Sequence, residues 1–215
     1  MGIKLGAGKE FKGGSGKNMS ELEINLSKLQ DGGKAKLRLI GEIEPNFRFW
    51  VGTRDGKKKP ILTPFFNKDT ENFDPGDPLL GNAQKEFFYT VNCIDRSDGK
   101  VKILILKTTV YRYLYSLAND PDYGDCTDPD SGFDLNIIKE RTGPQPQNVK
   151  YNVSPSLKMT PLTDDEKVLE LHNLGELYCP KSEGEYITWI KENTTILDRE
   201  IDGDSGHGTE DDVPF

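Results

Sequence analysis

EFFYTVNCIDRSDGKVKILILK, residues 86–107, is the stretch that decides the fold. Its first half is dense in aromatic and β-branched side chains, and its last seven residues, VKILILK, are again strand-forming. The DRSDG between them has the composition of a turn, so the stretch predicts a long β-hairpin. The two faces of the first strand carry Phe87, Tyr89 and Val91 on one side and Phe88, Thr90 and Asn92 on the other. Alternation alone does not decide which face lies on the core.

Further strands are predicted on both sides of this hairpin. The alternating segment Lys34–Ile40 has one apolar and one basic face: Ala35, Leu37 and Leu39 against Lys36 and Arg38. Phe47–Val51 alternates in the same way: Phe47, Phe49 and Val51 against Arg48 and Trp50. A period of two is typical of a half-buried strand. Phe133–Lys139 and Val149–Ser154 are also predicted as strands, whereas Ser20–Gln30 fits either a short strand or a helix.

Three helices are predicted. Thr108–Asn119 begins with threonines of the capping type and places three apolar residues at helical spacing: Val110, Leu114 and Leu117. A second helix is predicted to begin at Thr163, with an acidic first turn and an apolar stripe: Val168, Leu169, Leu171 and Leu174. Glu185–Glu192 is predicted as a third, short helix.

Together these elements predict a mainly β fold. Five or so strands, with one helix between the middle and later strands, fit an OB-type, partly open Greek-key β-barrel. One or two extra helices and disordered ends complete this prediction. The same elements also fit another β-rich α+β fold, because strand order cannot be derived from these patterns.

The charge distribution along the chain is uneven. The formal net charge is −8 over 215 residues, yet residues 1–60 carry 13 Lys/Arg against 7 Asp/Glu. Residues 198–215 carry 7 acidic residues against Arg199 alone. We therefore predict three parts: a flexible basic arm (1–19), a core with a C-terminal helical extension (20–197) and a disordered acidic tail (198–215).

Cations and aromatic rings are interleaved in the first third of the chain. A protein that binds single strands without sequence preference needs cations for the phosphates and aromatic faces for the bases. The predicted contacts are Lys36, Arg38, Arg48, Trp50, Arg54, Lys57, Lys58, Lys59, Phe65 and Phe66. Four residues further along the chain are secondary candidates: Phe88, Arg112, Lys150 and Tyr151. A loop of solvated lysines, with Trp50 packed beneath it, is the alternative interpretation.

The chain ends in carboxylates followed by an apolar tip. These residues are Asp211, Asp212, Val213, Pro214 and Phe215. A partner with a basic rim and a hydrophobic pocket can capture such a peptide. Before capture, the same tail can compete with DNA for the basic surface. We predict that it recruits replication and recombination proteins.

No catalytic, cofactor or metal site is predicted. A zinc site from Cys93, Cys126, Cys179 and His172 is conceivable, but zinc ligands usually come in closely spaced pairs. Asp128, Asp130 and Asp134 resemble part of a calcium loop that lacks its final Glu. Two alternatives stay open: a metal-dependent nuclease using the Asp120–Asp134 cluster, and a protein adaptor that does not bind DNA. The cysteine pattern favours a reducing, intracellular compartment.

The sequence resembles the single-stranded DNA-binding proteins of T4-type and related bacteriophages. The resemblance covers roughly Lys34–Leu162, and three segments carry it: FFYTVNCIDRSDGKVKILILKTTVYRYLYSL (87–117), YGDCTDPDSGFDLNIIKERTG (123–143) and VKYNVSPSLKMTPL (149–162). It implies an OB-fold core and a basic N-terminal arm that promotes cooperative self-association on DNA. It also implies an acidic C-terminal arm that recruits polymerase, recombinase and helicase-loading proteins.

The chain departs from that family in two places. The T4 protein has a zinc-binding segment in its core, whereas residues 64–86 of this chain contain neither Cys nor His. The terminal DDVPF instead is similar to the tip of bacterial single-strand-binding proteins. The resulting prediction is a non-enzymatic protein that coats single-stranded DNA during phage replication, recombination and repair, in the cytoplasm of the infected bacterial host.

Overall fold

The structure is a computed structural model that describes residues 19–24, 26, 29–145 and 148–200. Most of the predicted basic arm and acidic tail lies outside these residues. The proposed boundaries after residues 19 and 197 therefore remain predictions.

Strands dominate the described part of the chain. In order, the elements are α1 (Met19–Leu22), β1 (Lys34–Gly52), β2 (Lys58–Leu62), β3 (Phe66–Asn67), β4 (Asn72–Phe73), β5 (Gln84–Asp95), β6 (Val101–Lys107), α2 (Thr108–Ala118), β7 (Asp134–Arg141), β8 (Val149–Pro155), α3 (Asp164–Lys167), α4 (Leu174–Leu177), α5 (Glu183–Asn193) and a 3₁₀ turn (Leu197–Glu200). The prediction of a mainly β fold is confirmed. None of the described helices is long and apolar enough to cross a membrane.

The described residues divide into two compact units. Unit 1 contains those up to Asn46 together with Phe87–Cys179, and unit 2 contains Phe47–Glu86 together with those from Pro180 onward. Strands β1 and β5 each contribute residues to both units.

Unit 1 is built on a sheet with the strand order β6-β5-β1-β7-β8. The pairs β5–β6, β1–β7 and β7–β8 are antiparallel. The predicted hairpin is confirmed, with Phe88 opposite Lys107 at its open end and Ile94 opposite Val101 beside the turn. Strands β6 and β8 end this order, and no pairing joins them among the described residues, so no closed barrel is observed there.

One long strand replaces two predicted ones. Lys34–Ile40 and Phe47–Val51 are both parts of β1, which runs without interruption from Lys34 to Gly52. Gly41 lies between them at φ +77°, a conformation that glycine adopts without steric cost. The glycine allows the backbone to bend locally within the strand where the sequence pattern suggested an end.

From Phe88 to Ile94 both faces of β5 are buried, which resolves the ambiguity left by its alternation. Tyr89 and Val91 lie in the main core of unit 1. On the opposite face, Asn92 exchanges two hydrogen bonds of 3.0 Å with the backbone of His172. Phe88 packs there against Tyr178 at a ring-centroid distance of 6.1 Å. The C-terminal part of unit 1 therefore covers the face that would otherwise meet solvent.

The helix predictions were correct in part. α2 and α5 match the predicted segments closely, but the N-cap residue of α2 is Lys107 and no side chain caps it, so the predicted threonine cap is wrong. Thr163 does cap α3 through a capping box with Glu166. However, α3 ends at Lys167, so the predicted four-residue apolar stripe does not form on one helix.

The three cysteines differ in accessibility, which gives a simple test of the unit 1 core. Burial raises the pKa of the Cys126 thiol to about 12 and raises that of Cys93 as well, whereas Cys179 is exposed. Since the thiolate is the reactive form, we expect an aromatic disulfide reagent to titrate one thiol in the folded protein and three after denaturation. Cys179→Ser should abolish the fast reaction. A second fast thiol in the folded protein would contradict the core described here.

Unit 2 has its own core. The C-terminal end of β1 pairs with β2, and Phe49, Val51 and Ile61 point from this pair into a cluster that includes Tyr186 and Ile190 of α5. The short β3–β4 pair lies in the connection that follows β2. The α5 helix therefore packs beneath the β1–β2 pair.

A buried carboxylate organises this core. Asp77 is 3% exposed, and its two oxygens accept hydrogen bonds from the Tyr186 hydroxyl at 3.0 and 3.1 Å. The Thr63 hydroxyl also donates to Asp77, and so does the Leu79 backbone N–H, at 2.8 Å. These bonds connect the loop after β2 to α5.

Candidate nucleic-acid interface

One face of the β1–β2 pair in unit 2 is polar and aromatic. Trp50 lies directly opposite Pro60, and Gly52 lies opposite Lys58, so these residues share a face with Arg48. The alternate residues, Phe49, Val51 and Ile61, are buried on the other side. The prediction that Arg48 and Trp50 lie opposite the apolar residues of this strand is confirmed.

Trp50 is held at this face by a carboxylate. Its indole Nε1 donates to Glu86 Oε2 at 2.6 Å, and Arg48 Nε donates to the same oxygen at 2.8 Å. The guanidinium carbon of Arg48 lies 5.2 Å from the centre of the Trp50 ring, within the range of a cation–π contact. Sequence reasoning did not identify Glu86, because no local pattern connects it to a strand 36 residues away.

The turn after β1 and the start of β2 carry four exposed cations. Arg54 donates to both carboxylate oxygens of Asp198 at 2.8 Å, and Lys57 and Lys59 lie 3.6 and 3.9 Å from Asp55. A hydrogen bond from the Thr53 hydroxyl lowers the pKa of Asp55. Exposed ion pairs of this kind are weak, so a phosphate can replace the carboxylates. Lys58 is also exposed.

Phe65 and Phe66 are half-buried in the aromatic packing of unit 2. Phe65 lies 6.0 Å from Tyr186, and Phe66 lies 5.7 Å from Phe47, measured between ring centroids. These neighbours therefore cover part of the surface of each ring. Whether they also contact bases remains a prediction.

Two predicted contacts lie in the interior of unit 1. Arg38 is 0% exposed, so it is inaccessible to a phosphate, and the predicted DNA contact of this side chain is wrong. Its guanidinium donates to the backbone carbonyls of Leu39 at 3.1 Å and Thr160 at 3.0 Å, and also to those of Cys126 and Asp128. Phe88, 1% exposed, is likewise inaccessible to a base. In both cases distant segments cover the second face of a strand.

The other unit 1 candidates are at the surface or partly so. Lys36 pairs with Asp134 at 3.1 Å and keeps half of its side chain exposed. Arg112 on α2 and Lys150 on β8 are exposed, whereas Tyr151 packs against the core. These residues lie on different elements, and their contact with DNA remains a prediction.

The aspartates of the 120–134 loop serve local structure. The carboxylates of Asp120, Asp125 and Asp128 accept hydrogen bonds at 2.8–2.9 Å from backbone N–H groups two residues further on. Asp134 is buried and pairs with Lys36 and Arg96. No three potential metal ligands converge anywhere in the part of the chain that the structure describes. The loop therefore has the geometry of successive turns.

The five predicted partner-binding residues, Asp211, Asp212, Val213, Pro214 and Phe215, lie outside the described residues. The same holds for the predicted N-terminal arm apart from Met19.

Comparison with known proteins gives one informative similarity. The chain is 26% identical, over 151 residues, to a protein of Escherichia phage T5 described as a probable ssDNA-binding protein. The match covers 62% of this chain and 54% of the phage T5 protein, so the chain spans about half the length of that relative. No protein-family model matches the chain.

Proposed function

We propose that this chain is a non-enzymatic protein that binds single-stranded DNA without sequence preference. The observation that carries the proposal is the polar face of the β1–β2 pair, where Trp50 lies among cations and is fixed in orientation. The similarity to the probable ssDNA-binding protein of phage T5 supports the same function.

In the proposed binding mode, cationic side chains bind phosphates and an aromatic side chain binds a base. Arg54 and Lys57–Lys59 neutralise phosphates, and this makes the affinity fall with salt by a logarithmic slope of about 0.7 per phosphate. Trp50 stacks on a base, an interaction that tolerates any sequence. Because the protein binds the unpaired strand in preference to the duplex, melting follows by mass action and needs no nucleotide.

We infer further that the fold is of OB type. Counting β1, β5, β6, β7 and β8 as strands one to five, the order in the sheet is three-two-one-four-five. A five-stranded Greek-key barrel opened between its third and fifth strands has that order. Helix α2 lies between strands three and four, which also supports the inference.

We also propose the biological setting implied by the resemblance to T4-type phage proteins. In that setting the chain coats DNA during phage replication, recombination and repair in the cytoplasm of an infected bacterium. It self-associates on DNA, and its acidic tail recruits polymerase, recombinase and the helicase or its loader. The tail is taken to begin at Asp198, whose ion pair with Arg54 supports a tail that starts beside the proposed DNA contacts.

Replacing Trp50 tests the proposal directly. We expect Trp50→Ala to weaken binding of a labelled oligo-dT roughly 5- to 150-fold, because stacking contributes about 1–3 kcal/mol per base. Trp50→Phe should lose less, since it keeps a ring. The measurement is fluorescence anisotropy at several salt concentrations, with exposed Lys100→Ala of unit 1 as the control.

Quenching of Trp50 fluorescence by oligo-dT should accompany binding. Trp189 packs against the unit 2 core, so Trp189→Phe provides a protein with a single reporter. If neither quenching nor salt-dependent binding is observed, the function proposed here is wrong, and an adaptor that binds an acidic protein takes first place.

Removal of residues 201–215 tests the tail. We expect tighter DNA binding at low salt, because a competing polyanion is lost, and convergence with the full chain at high salt. A chain lacking only Val213–Phe215 keeps all the acidic residues and should bind DNA as the full chain does. If that shorter deletion retains every protein captured by the full chain, recruitment by the tip is excluded.

A further inference from the structure

We propose that Glu86 is a positioning residue of the DNA-binding face, which fixes Trp50 for stacking and at the same time limits affinity by engaging Arg48. This inference rests on the proposed function. It concerns a residue that no sequence pattern indicated and that carries the wrong charge for a phosphate contact.

The geometry concentrates two donors on one acceptor. Glu86 Oε2 accepts from Trp50 Nε1 at 2.6 Å and from Arg48 Nε at 2.8 Å. The side chains of Arg48 and Glu86 are only 19% and 25% exposed. Charge-assisted hydrogen bonds at such distances are among the stronger ones, and partial burial protects them from screening by salt. Arg48, Trp50 and Glu86 are therefore joined by short contacts, and we call these three side chains the Glu86 triad.

The triad fixes the orientation of the indole. The Trp50 side chain has a single polar donor, and Glu86 accepts from it, while the Arg48 guanidinium lies over the ring. A base that reaches the exposed part of the ring meets a surface that is already ordered. Less conformational entropy is then lost on binding than for a ring that must first be immobilised.

The same carboxylate opposes the phosphates. It neutralises Arg48, so this cation contributes little to the field that a nucleic acid experiences. It also places a negative charge beside the ring on which a base stacks. The chain therefore combines a well-ordered stacking residue with an affinity below the maximum that its cations would allow.

Glu86→Gln separates the two roles. A glutamine can still accept the indole N–H through its carbonyl oxygen, but it carries no charge. We expect oligo-dT binding to tighten about three- to tenfold at low salt, and the logarithmic salt slope to steepen by about 0.7 as Arg48 gains a phosphate. Glu183→Gln removes the same charge from an exposed site at the N-terminal end of α5 of unit 2 and is the matched control. It should change neither quantity measurably.

The double variant Arg48→Gln/Glu86→Gln identifies the cation involved. In this background the gain in affinity and in salt slope should disappear. Glu86→Ala, which removes the acceptor, should bind less tightly than Glu86→Gln. In the Trp189→Phe protein without DNA, it should also lower the fluorescence anisotropy of Trp50, whereas Glu86→Gln should not.

The possible failures are distinguishable. If the unaltered protein does not bind oligo-dT, the proposed function is wrong, and the inference about Glu86 falls with it. If it binds through Trp50, but Glu86→Gln matches Glu183→Gln in affinity and salt slope, the inference about Glu86 is wrong while the function stands. An unchanged Trp50 anisotropy in Glu86→Ala would overturn the positioning role.

Discussion

Replacing Arg38 with methionine is expected to lower the free energy of unfolding by about 3–5 kcal/mol. The side chain is fully buried, and its guanidinium donates to four backbone carbonyls, those of Leu39, Cys126, Asp128 and Thr160. Methionine fills much of the volume but donates nothing, so these acceptors lose their partner in the interior. Urea denaturation followed by circular dichroism measures the effect.

Two companion variants make the Arg38 result specific. Lys36→Met alters the neighbouring residue on the same strand face, where the side chain is half exposed, and should cost less than about 1 kcal/mol. Arg38→Lys keeps a cation but cannot reach all four carbonyls, so it should fall between the two. A stable Arg38→Met protein with impaired DNA binding would contradict the interior position and restore Arg38 as a contact.

The electrostatics of the Arg38 site explain why uncharged methionine is a more informative replacement than lysine, which keeps the positive charge. Burial lowers the pKa of the guanidinium from its ordinary value, and the Asp134 carboxylate nearby opposes that shift. The fold therefore holds a cation in the interior through four backbone carbonyls and the nearby Asp134 carboxylate. Loss of these donors, and not loss of a surface charge, dominates the predicted effect.

Asp77→Ala is expected to destabilise unit 2 by about 3 kcal/mol. The Asp77 carboxylate accepts from the Tyr186 and Thr63 hydroxyls and from the Leu79 backbone N–H. Without it, three buried donors are left without their acceptor. Tyr186→Phe removes only one of these donors, so we expect a smaller loss, about 1–2 kcal/mol. Denaturation monitored by Trp50 fluorescence in a Trp189→Phe background reports on this unit.

Alkaline titration provides a second measurement of the Asp77 site. Burial, and the Asp77 charge, raise the pKa of Tyr186 above its ordinary value. A group whose pKa is higher in the folded state stabilises the fold fully below its unfolded pKa, about 10 for tyrosine, and progressively less above it. After a jump to alkaline pH, the absorbance increase from the Tyr186 tyrosinate should therefore coincide with unfolding of unit 2. Early ionisation of Tyr186 in the folded protein would contradict this assignment.

Whether the alternation pattern predicted exposure correctly depended on what covers each face of the strand. It correctly separated Arg48 and Trp50 from the buried residues Phe49 and Val51, because that polar face of β1 remains partly exposed. The same pattern failed for Arg38, since backbone carbonyls from residues 126, 128 and 160 enclose it. Backbone acceptors have no side-chain signature, so a sequence pattern cannot reveal them.

The candidate site was predictable to a similar degree. Exposed cations at the tip of the β1–β2 turn followed from their spacing between strands, and the structure places them at the surface. The Glu86 triad could not be predicted from the sequence, because it depends on which strand lies beside β1 and on the direction of one carboxylate. The early end of α3 was missed for a related reason, since tertiary packing outweighs helical spacing over a few residues.

The buried Arg38 also bears on the order in which unit 1 folds. Its hydrogen bonds join residues separated by 88, 90 and 122 positions along the chain. Closing loops of that length costs conformational entropy before any bond forms, so we expect such contacts to form after the β5–β6 hairpin. Interactions that form after the transition state mainly slow unfolding. We therefore expect Arg38→Met to raise the unfolding rate of unit 1 more than it lowers the folding rate, which stopped-flow chevron analysis measures.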